Sequence, residues 1–318
     1  MTRTDVRLSD QALPTWSGVL PPWPGELVDG LFVRRAPGPV GGGEPALFVH
    51  GLGGASTNWT DLMGLLAGRL DGEAVDLPGF GRSDPPPHGS YALRTHVDAV
   101  VRLLEASDRG PVHLFGNSLG GAVSTRVAAL RPDLVRTLTL VSPALPSLTP
   151  RRGSDPRLPL LLLPGLSSLA SRAVAKRTPQ ERSDAVLALV YGDLSDIPEQ
   201  RRLEAVEEVS RRAGLAHAET AFTASLRGLV GSFLERGRRN LWQQARTVQA
   251  PTLLVWGTED RLVDVSLAPR ALAAFPHSRL LVLPGVGHVA QLERPETVAR
   301  AFLALLEDGD AQGAARTA

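Results

Sequence analysis

Three side chains in this sequence have the types and the chain order needed for nucleophilic catalysis: Ser118, Asp260 and His288. A serine hydroxyl attacks a carbonyl carbon only when a base removes its proton, and that base is usually a histidine oriented by a carboxylate. Each of the three follows a short apolar run and lies among glycines. Because the carboxyl ends of parallel strands meet at one edge of a sheet, we expect these three residues to lie close together.

The serine lies in the sequence 112–127, VHLFGNSLGGAVSTRV. A run rich in β-branched and aromatic residues ends in GNSLGG, and an apolar pattern with helical spacing starts at once, which predicts a strand, a sharp turn and a helix. Glycines flank Ser118 because such a turn leaves no room for side chains. The helix N-terminus beside it favours the negative charge that acyl transfer generates.

The acid and the base follow two later predicted strands. Asp260 ends the sequence GTED and His288 ends the sequence GVGH. The spacing G-x-x-D favours Asp260 as the residue that orients the histidine, while Glu259 and Asp264 remain alternatives. The order serine, aspartate, histidine is the one that a serine on a strand-to-helix turn requires.

An oxyanion hole needs two backbone N–H groups directed at the developing negative oxygen. We predict that Leu119, the residue after the serine, and Leu52 supply them. Gly51 and Gly53, on either side of Leu52, would let the backbone approach a substrate. His50 is expected to brace this loop by hydrogen bonds.

The elements that position these residues alternate between short apolar strands and amphipathic helices, apart from a hairpin around Asp29-Gly30. This alternation predicts an α/β fold with a mostly parallel sheet covered on both faces. The alternation stops for about one hundred residues that have only helical patterns. The predicted divisions are a first core part with an N-terminal arm at 1–143, an inserted helical cap at 144–248, a second core part at 249–306 and a disordered tail at 307–318.

Composition excludes several classes of protein. The formal net charge of +1 gives no reason to expect a nucleic acid or an anionic membrane as partner. The sequence has no cysteine, which excludes disulfides and thiolate sites. Its N-terminus lacks a secretory signal, and the apolar stretch 158–169 is too short and too rich in proline and glycine to span a bilayer. We therefore expect a cytoplasmic protein, either a monomer or a homo-oligomer.

With these motifs in place, the sequence resembles the α/β-hydrolase superfamily over about residues 26–143 and 249–306. The resemblance is carried by five sequence blocks in order: HGLGG at 50–54, DLPGFGRS at 76–83, GNSLGG at 116–121, GTEDRLV at 257–263 and GVGHVAQLERPE at 285–296. It implies an eight-stranded sheet, a catalytic triad and a helical lid. It also disfavours dehalogenase and epoxide hydrolase activity, because those members have an aspartate at the position of Ser118.

The resulting expectation is a carboxylesterase-like serine hydrolase (EC 3.1.1) that cleaves an ester of a hydrophobic small molecule without a metal or cofactor. Cap residues Phe222 and Trp242, together with Trp59 from the core, are predicted to line the substrate pocket. Asn117 and Val289, which flank the catalytic residues, are further candidates for substrate contact. Packing of the cap on the core is an equally good explanation for each aromatic residue.

Three other functions stay open at the level of sequence. The same triad could cleave a carbon–carbon bond in ring-fission diketone acids, which would require an arginine near Ser118 to bind the substrate carboxylate. Val289 in place of a tryptophan and Asp264 in place of a proline depart from the resemblance to those enzymes. The acyl-enzyme could also transfer its acyl group, or form a peracid as perhydrolases do. Finally, the fold could serve as a non-enzymatic receptor for a small molecule.

Overall fold

The computed structural model describes residues 6–15, 18–147 and 177–317, with side chains described as far as residue 309. Its centre is one eight-stranded sheet with the strand order β1-β2-β4-β3-β5-β6-β7-β8. The strands are β1 Gly25–Val28, β2 Leu31–Ala36, β3 Glu44–Val49, β4 Leu70–Val75, β5 Val112–Asn117, β6 Val135–Val141, β7 Thr252–Gly257 and β8 Ser278–Leu283. The predicted fold class, including the eight strands implied by the resemblance, is confirmed.

The sheet is antiparallel only at its first edge. β1 pairs with β2 and β2 pairs with β4 in antiparallel register, and every later pair is parallel. Asp29 and Gly30 form the turn between β1 and β2 with φ values of 48° and 75°. Two successive positive φ values are typical of the tight turn that matches the twist of a hairpin, so the hairpin predicted at this dipeptide is confirmed.

Helices cover both faces of the sheet. They are α1 Thr60–Leu66, α2 Leu93–Ser107, α3 Leu119–Leu130, α4 Pro179–Val190, α5 Glu199–Ala213, α6 Ala218–Phe233, α7 Leu241–Ala245, α8 Ala268–Ala274, α9 Ala290–Glu293 and α10 Pro295–Thr317. Side chains of β3 alternate between two cores: Leu47 and Val49 join the core that contains α2, α3 and α8, whereas Ala46 and Phe48 join the core that contains α1 and α10. This alternation follows from the two-residue period of a strand.

Between β6 and β7, the described residues 177–248 form α4 to α7 and no strand. We call residues 177–248 the helical insertion. They agree with the helical pattern expected there, while the boundaries of a separate cap at 144–248 stay a prediction. The apolar stretch 158–169 lies outside the described residues. None of the described helices is long and apolar enough to cross a membrane.

The last helix extends into the region of the predicted tail. The backbone of α10 is helical to Thr317, and the disordered tail at 307–318 stays a prediction. Residues 307–317 continue a helix whose earlier turns are packed on the core, so no new helix nucleus is needed. Arg7 and Ser9 of the N-terminal arm also bond to Glu307 and so hold this turn of α10.

A buried ion pair fixes the helical insertion to the core. Arg201 of α5 donates to both carboxylate oxygens of Asp61 in α1, at 2.7 and 3.2 Å, and to the carbonyl oxygen of Leu20 at 2.8 Å. Both charged side chains are at least nine-tenths buried. Because removal of one partner would leave a buried charge unpaired, at a cost of about 3–5 kcal/mol, this contact holds the N-terminal arm, α1 and α5 in one arrangement.

A second contact between the insertion and the core predicts acid sensitivity. His96 of α2 is fully buried, and its Nε2 lies 3.0 Å from Oγ of Ser225 in α6. Burial, with a smaller contribution from His50, lowers the pKa of His96 from 6.5 to about 3. The unfolded chain therefore binds a proton at this residue between these two pH values while the folded chain does not, so stability falls as the pH falls from about 6.5 towards 3.

We expect His96→Gln to remove this part of the pH dependence, because glutamine can still bond to Ser225 and does not titrate. In urea titrations between pH 6.5 and 4, the free energy of unfolding of the wild type should fall more steeply than that of the variant, by up to about 1.4 kcal/mol per pH unit. Parallel pH profiles for the two proteins would contradict the assignment.

Candidate active site

Ser118 lies on a strained turn between β5 and α3. Its φ and ψ are 54° and −115°, a conformation that costs a residue other than glycine about 1–3 kcal/mol. In the stretch 112–121 it is the one residue that is not buried. The turn has no room for neighbouring side chains, because a Cβ on Gly120 would lie 2.2 Å from the carbonyl oxygen of Val49. The local sequence thus presents a hydroxyl at the carboxyl end of the sheet.

His288 and Asp260 form a buried pair. Nδ1 of His288 lies 2.9 and 3.0 Å from the two carboxylate oxygens of Asp260, and Oδ1 of Asp260 also accepts the N–H groups of Leu262 and Val263 at 2.8 Å. Burial alone would raise the pKa of Asp260, but the charge and hydrogen bond of His288 and the Val263 N–H lower it below its usual value. An ionised Asp260 accepts a hydrogen bond from the N–H at Nδ1, which leaves Nε2 of His288 as the proton acceptor.

The two alternative acids have other contacts. Glu259 is exposed, and its N–H donates to the carbonyl oxygen of Val286. Asp264 accepts the N–H of Ser266 at 2.8 Å and so caps the short helical turn 265–267. Asp260 is therefore the carboxylate that reaches His288.

The peptide between Gly51 and Leu52 is held by its carbonyl group. The oxygen of Gly51 accepts from Nδ1 of His50 at 2.7 Å and from the N–H of Gly54 at 3.0 Å. His50 is buried, which lowers its pKa, and its Nε2 accepts the N–H of Leu77 at 2.9 Å. It is a neutral brace, as predicted. In a trans peptide the C=O and N–H bonds point in opposite directions. Because the carbonyl of Gly51 is fixed, the N–H of Leu52 points to the other side of the loop.

The peptide between Ser118 and Leu119 is held in a similar way. The carbonyl oxygen of Ser118 accepts the N–H groups of Ala122 at 3.1 Å and Ala144 at 2.9 Å. As the first residue of α3, Leu119 has an N–H with no carbonyl within its own helix to bond. Residues 51–54, which we call the oxyanion loop after their predicted role, lie directly beside the serine, since a Cβ on Gly51 would be 3.0 Å from Cβ of Ser118.

Asn117 joins the serine turn to the histidine loop. Its Nδ2 donates to the carbonyl oxygens of Val141 and His288, both at 3.1 Å. Asn117 was predicted to be a candidate for substrate contact, but its amide nitrogen donates to these two backbone carbonyls. Asn117, the last residue of β5, therefore connects the end of β6 to the backbone of His288.

A profile of the alpha/beta hydrolase fold matches residues 45–295, which is most of the chain. The chain belongs to the alpha/beta hydrolase family. This assignment confirms the resemblance carried by the five sequence blocks. It agrees with the strained serine turn, since a strand-turn-helix with an exposed serine is the feature that this fold uses to present a nucleophile.

The named relatives of this chain carry names of different activities. It is 33% identical over 268 residues to the dihydrolipoyllysine-residue acetyltransferase component of the acetoin cleaving system of Pseudomonas putida, an alignment that covers 83% of this chain and 64% of that protein. It is 30% identical over 273 residues to 2-hydroxy-6-oxononadienedioate/2-hydroxy-6-oxononatrienedioate hydrolase 2 of Pseudomonas putida, covering 84% and 88% of the two chains. The chain thus spans slightly less than two thirds of the first relative.

The fold is shared with solved structures of lower sequence identity. A meta-cleavage product hydrolase from Pseudomonas fluorescens IP01 superposes with a TM-score of 0.71 at 19% identity, over 91% of this chain and 98% of the other. This similarity shows the fold alone.

The three aromatic residues predicted to line the pocket have different environments in the structure. Phe222 of α6 contacts the oxyanion loop, because a Cβ on Gly53 would lie 3.1 Å from its ring. Trp59 is fully buried against Phe48, with ring centroids 5.5 Å apart, so it is a core residue and the pocket prediction is wrong for it. The apolar residues of α1 that follow Trp59 do not indicate in the sequence whether it lies in the core or lines a pocket.

Trp242 also differs from the prediction. It is buried, its Nε1 donates to the carbonyl oxygen of Pro146 at 2.8 Å, and the guanidinium of Arg270 covers its ring at 4.2 Å. These contacts pack α7 on the core. Val289 is buried with Leu187, Tyr191 and Ile197 of the insertion, so it contributes to the contact between the histidine loop and the insertion.

Two charged residues of this region were missed by the sequence analysis. Arg212, near the end of α5, donates to the carbonyl oxygen of Gly53 at 2.7 Å. Glu293 accepts the N–H groups of Gly287 and Gly192, each at 2.8 Å. Arg212 lies in a helix rich in arginine and glutamate, where no local signal separates it from solvated neighbours. Glu293 lies in the last of the five sequence blocks, and its place in that block was the feature that could have identified it from the sequence.

Proposed function

We propose that the hydrolase is a serine esterase that cleaves a carboxylic ester of a hydrophobic small molecule through Ser118, His288 and Asp260. The observation that supports this most directly is the buried hydrogen bond from Nδ1 of His288 to an ionised Asp260. Ser118 is held on a strained turn, and its neighbour Asn117 bonds to the backbone of His288. The bond between His288 and Asp260 selects the histidine tautomer that can accept a proton from serine.

The proposed reaction has two halves. Nε2 of His288 takes the proton of the Ser118 hydroxyl as Oγ forms a bond to the ester carbon, and the carbonyl oxygen becomes an oxyanion. The N–H groups of Leu52 and Leu119 donate to this oxyanion. His288 then gives the proton to the alcohol oxygen as the ester bond breaks. In the second half His288 takes a proton from water, the hydroxide attacks the acyl carbon, and Oγ of Ser118 leaves with the proton.

Preference for an apolar substrate is supported by the residues over the oxyanion loop. Phe222 lies against Gly53, and Leu52 packs at the edge of the larger core. An acyl chain beside these side chains would be removed from water, which contributes about 0.8 kcal/mol per buried methylene group.

A second candidate is cleavage of a carbon–carbon bond in a diketone acid, and Arg212 is the observation that favours it. Burial lowers the pKa of Arg212, partly opposed by the charge of Glu208, and among the residues that the structure describes no carboxylate forms an ion pair with it. A guanidinium held at Gly53 could bind a substrate carboxylate. The relative from Pseudomonas putida named as a 2-hydroxy-6-oxononadienedioate hydrolase adds to this candidate, while Val289 and Asp264 depart from the pattern of such enzymes.

The test is labelling by a fluorophosphonate followed by intact-protein mass and peptide mapping, together with turnover of two substrate sets. We expect one adduct, on Ser118, and hydrolysis of p-nitrophenyl esters with a kcat/KM that increases with acyl chain length up to the size of the pocket. Faster turnover of a vinylogous 1,5-diketone acid than of any ester would favour the second candidate. Folded protein with neither adduct nor turnover would contradict both.

A further inference from the structure

The loop that carries His288 is attached to the helical insertion by backbone hydrogen bonds. The N–H of His288 donates to the carbonyl oxygen of Val190 at 2.7 Å. The backbones of Gly192 and Gly287 are in close contact, because a Cβ on Gly287 would lie 2.5 Å from the nitrogen of Gly192. The insertion therefore contacts the main chain of the proposed base itself.

Glu293 completes this attachment with its carboxylate. Oε1 accepts the N–H of Gly287, the residue before His288, and Oε2 accepts the N–H of Gly192 in the insertion, each at 2.8 Å. Glu293 is 8% exposed. One side chain thus uses its two oxygens to join the histidine loop to the insertion.

The loop of the proposed acid contacts the same segment of the insertion. Arg261, the residue after Asp260, donates from Nη1 to the carbonyl oxygen of Tyr191 at 3.0 Å. The segment 190–192 therefore has hydrogen bonds to the loops of both residues that form the buried pair.

We infer that Glu293 is a positioning residue for His288, and that the segment 190–192 of the insertion is part of the support of the base. This inference rests on the proposed function, because it gives the role of base to His288. Without the carboxylate, the N–H groups of Gly192 and Gly287 lose their acceptor, and the histidine loop is free to shift relative to Asp260 and Ser118. A misplacement of about 1 Å at a reacting group can lower a rate by about 10²-fold.

The primary variant is Glu293→Gln, with Glu296→Gln as its control. Glutamine has nearly the same shape but carries one oxygen and one NH₂ group, so one of the two backbone N–H groups would face another donor. Glu296 is at the start of α10 and pairs with the partly exposed Arg300, so its variant should behave like the wild type. We expect Glu293→Gln to lower kcat for a p-nitrophenyl ester by about 10²-fold with KM unchanged, because the loss is confined to the transition state.

A spectroscopic readout tests positioning without relying on turnover. The proton that Nδ1 of His288 donates to Asp260 should give a far-downfield resonance in the proton NMR spectrum, identified by its absence in His288→Asn. We expect this resonance to broaden or disappear in Glu293→Gln and to persist in Glu296→Gln. Wild-type kcat and an unchanged resonance in folded Glu293→Gln would overturn the inference.

A second pair of variants tests the contact from the side of the insertion. It also tests the inference if Glu293→Gln does not fold. A Cβ on Gly192 would lie 2.2 Å from the carbonyl oxygen of Gly285, whereas a Cβ on Gly231 in α6 would meet no atom within 4 Å. Gly192→Ala should therefore lower kcat and change the His288 resonance, and Gly231→Ala should change neither. Wild-type behaviour of Gly192→Ala would overturn the inference.

These outcomes are separate from failure of the proposed function. If the wild type shows no adduct on Ser118 and no turnover, the proposed function fails, and the resonance still reports whether Glu293 and Gly192 hold His288 against Asp260. If the wild type is labelled and active while all four variants match it, only the positioning role fails.

Discussion

Ser118→Ala is expected to lower kcat for a p-nitrophenyl ester by about 10⁶-fold while the fold is retained. Alanine keeps the Cβ and removes only the hydroxyl oxygen, so the covalent acyl-enzyme cannot form. The N–H groups of Leu52 and Leu119, which we propose bind the oxyanion, stay in place. Residual catalysis of about 10³–10⁴-fold over the reaction in water is therefore expected. The measurements are single-turnover and steady-state hydrolysis, with circular dichroism and thermal unfolding as checks of the fold.

The matched control is Ser124→Ala, which removes a buried hydroxyl from a later position in α3. Oγ of Ser124 has no hydrogen-bond partner among the described residues, so its removal should leave kcat near the wild-type value. A loss of only a few-fold in Ser118→Ala would show that Ser118 is not the nucleophile. Retained fluorophosphonate labelling in Ser118→Ala would place the reactive group elsewhere.

Asp260→Asn has the second largest expected effect, a decrease in kcat of about 10⁴-fold. The Asp260 carboxylate accepts three hydrogen-bond donors: Nδ1 of His288 and the N–H groups of Leu262 and Val263. Asparagine has one acceptor oxygen, which the two backbone N–H groups would occupy. Its NH₂ group would then face His288 and favour the tautomer with the proton on Nε2. That tautomer cannot take the proton of Ser118.

Glu259→Gln is the control for this variant. The two substitutions make the same chemical change at adjacent residues, but Glu259 is exposed and has no contact with His288 among its described hydrogen bonds. We expect its kcat to stay within a few-fold of the wild type, in line with other surface substitutions. A large loss in Glu259→Gln with little loss in Asp260→Asn would identify Glu259 as the acid.

The sequence alone was sufficient for the features that depend on local pattern. The fold class follows from apolar strands that alternate with amphipathic helices, because each element must bury one face and a right-handed crossover sets parallel neighbours. The hairpin turn at Asp29-Gly30 follows from the positive φ values that this dipeptide tolerates. The order of Ser118, Asp260 and His288, each after a strand, was enough to predict that they lie at one edge of the sheet.

The roles of side chains that act across the fold were decided by tertiary structure. Trp59 and Trp242 are apolar residues on helices, and nothing in their local sequence separates a pocket wall from a core. The structure buries Trp59 against Phe48 and fixes Trp242 by the carbonyl oxygen of Pro146. Asn117 is adjacent to Ser118 in sequence, but its amide bonds to the backbone of residue 288, 171 positions away.

The same distinction separates the proposed triad from its supports. A catalytic side chain has a type and a local motif that its chemistry requires, so Ser118, Asp260 and His288 could be found from residue type and spacing. The carboxylate of Glu293 accepts backbone N–H groups, which nearly every residue type carries, and its contact with Gly192 joins positions 101 apart in the chain. Only the packed fold brings these groups together, because a backbone N–H that has no local acceptor can belong to almost any residue type and so leaves no motif in the sequence.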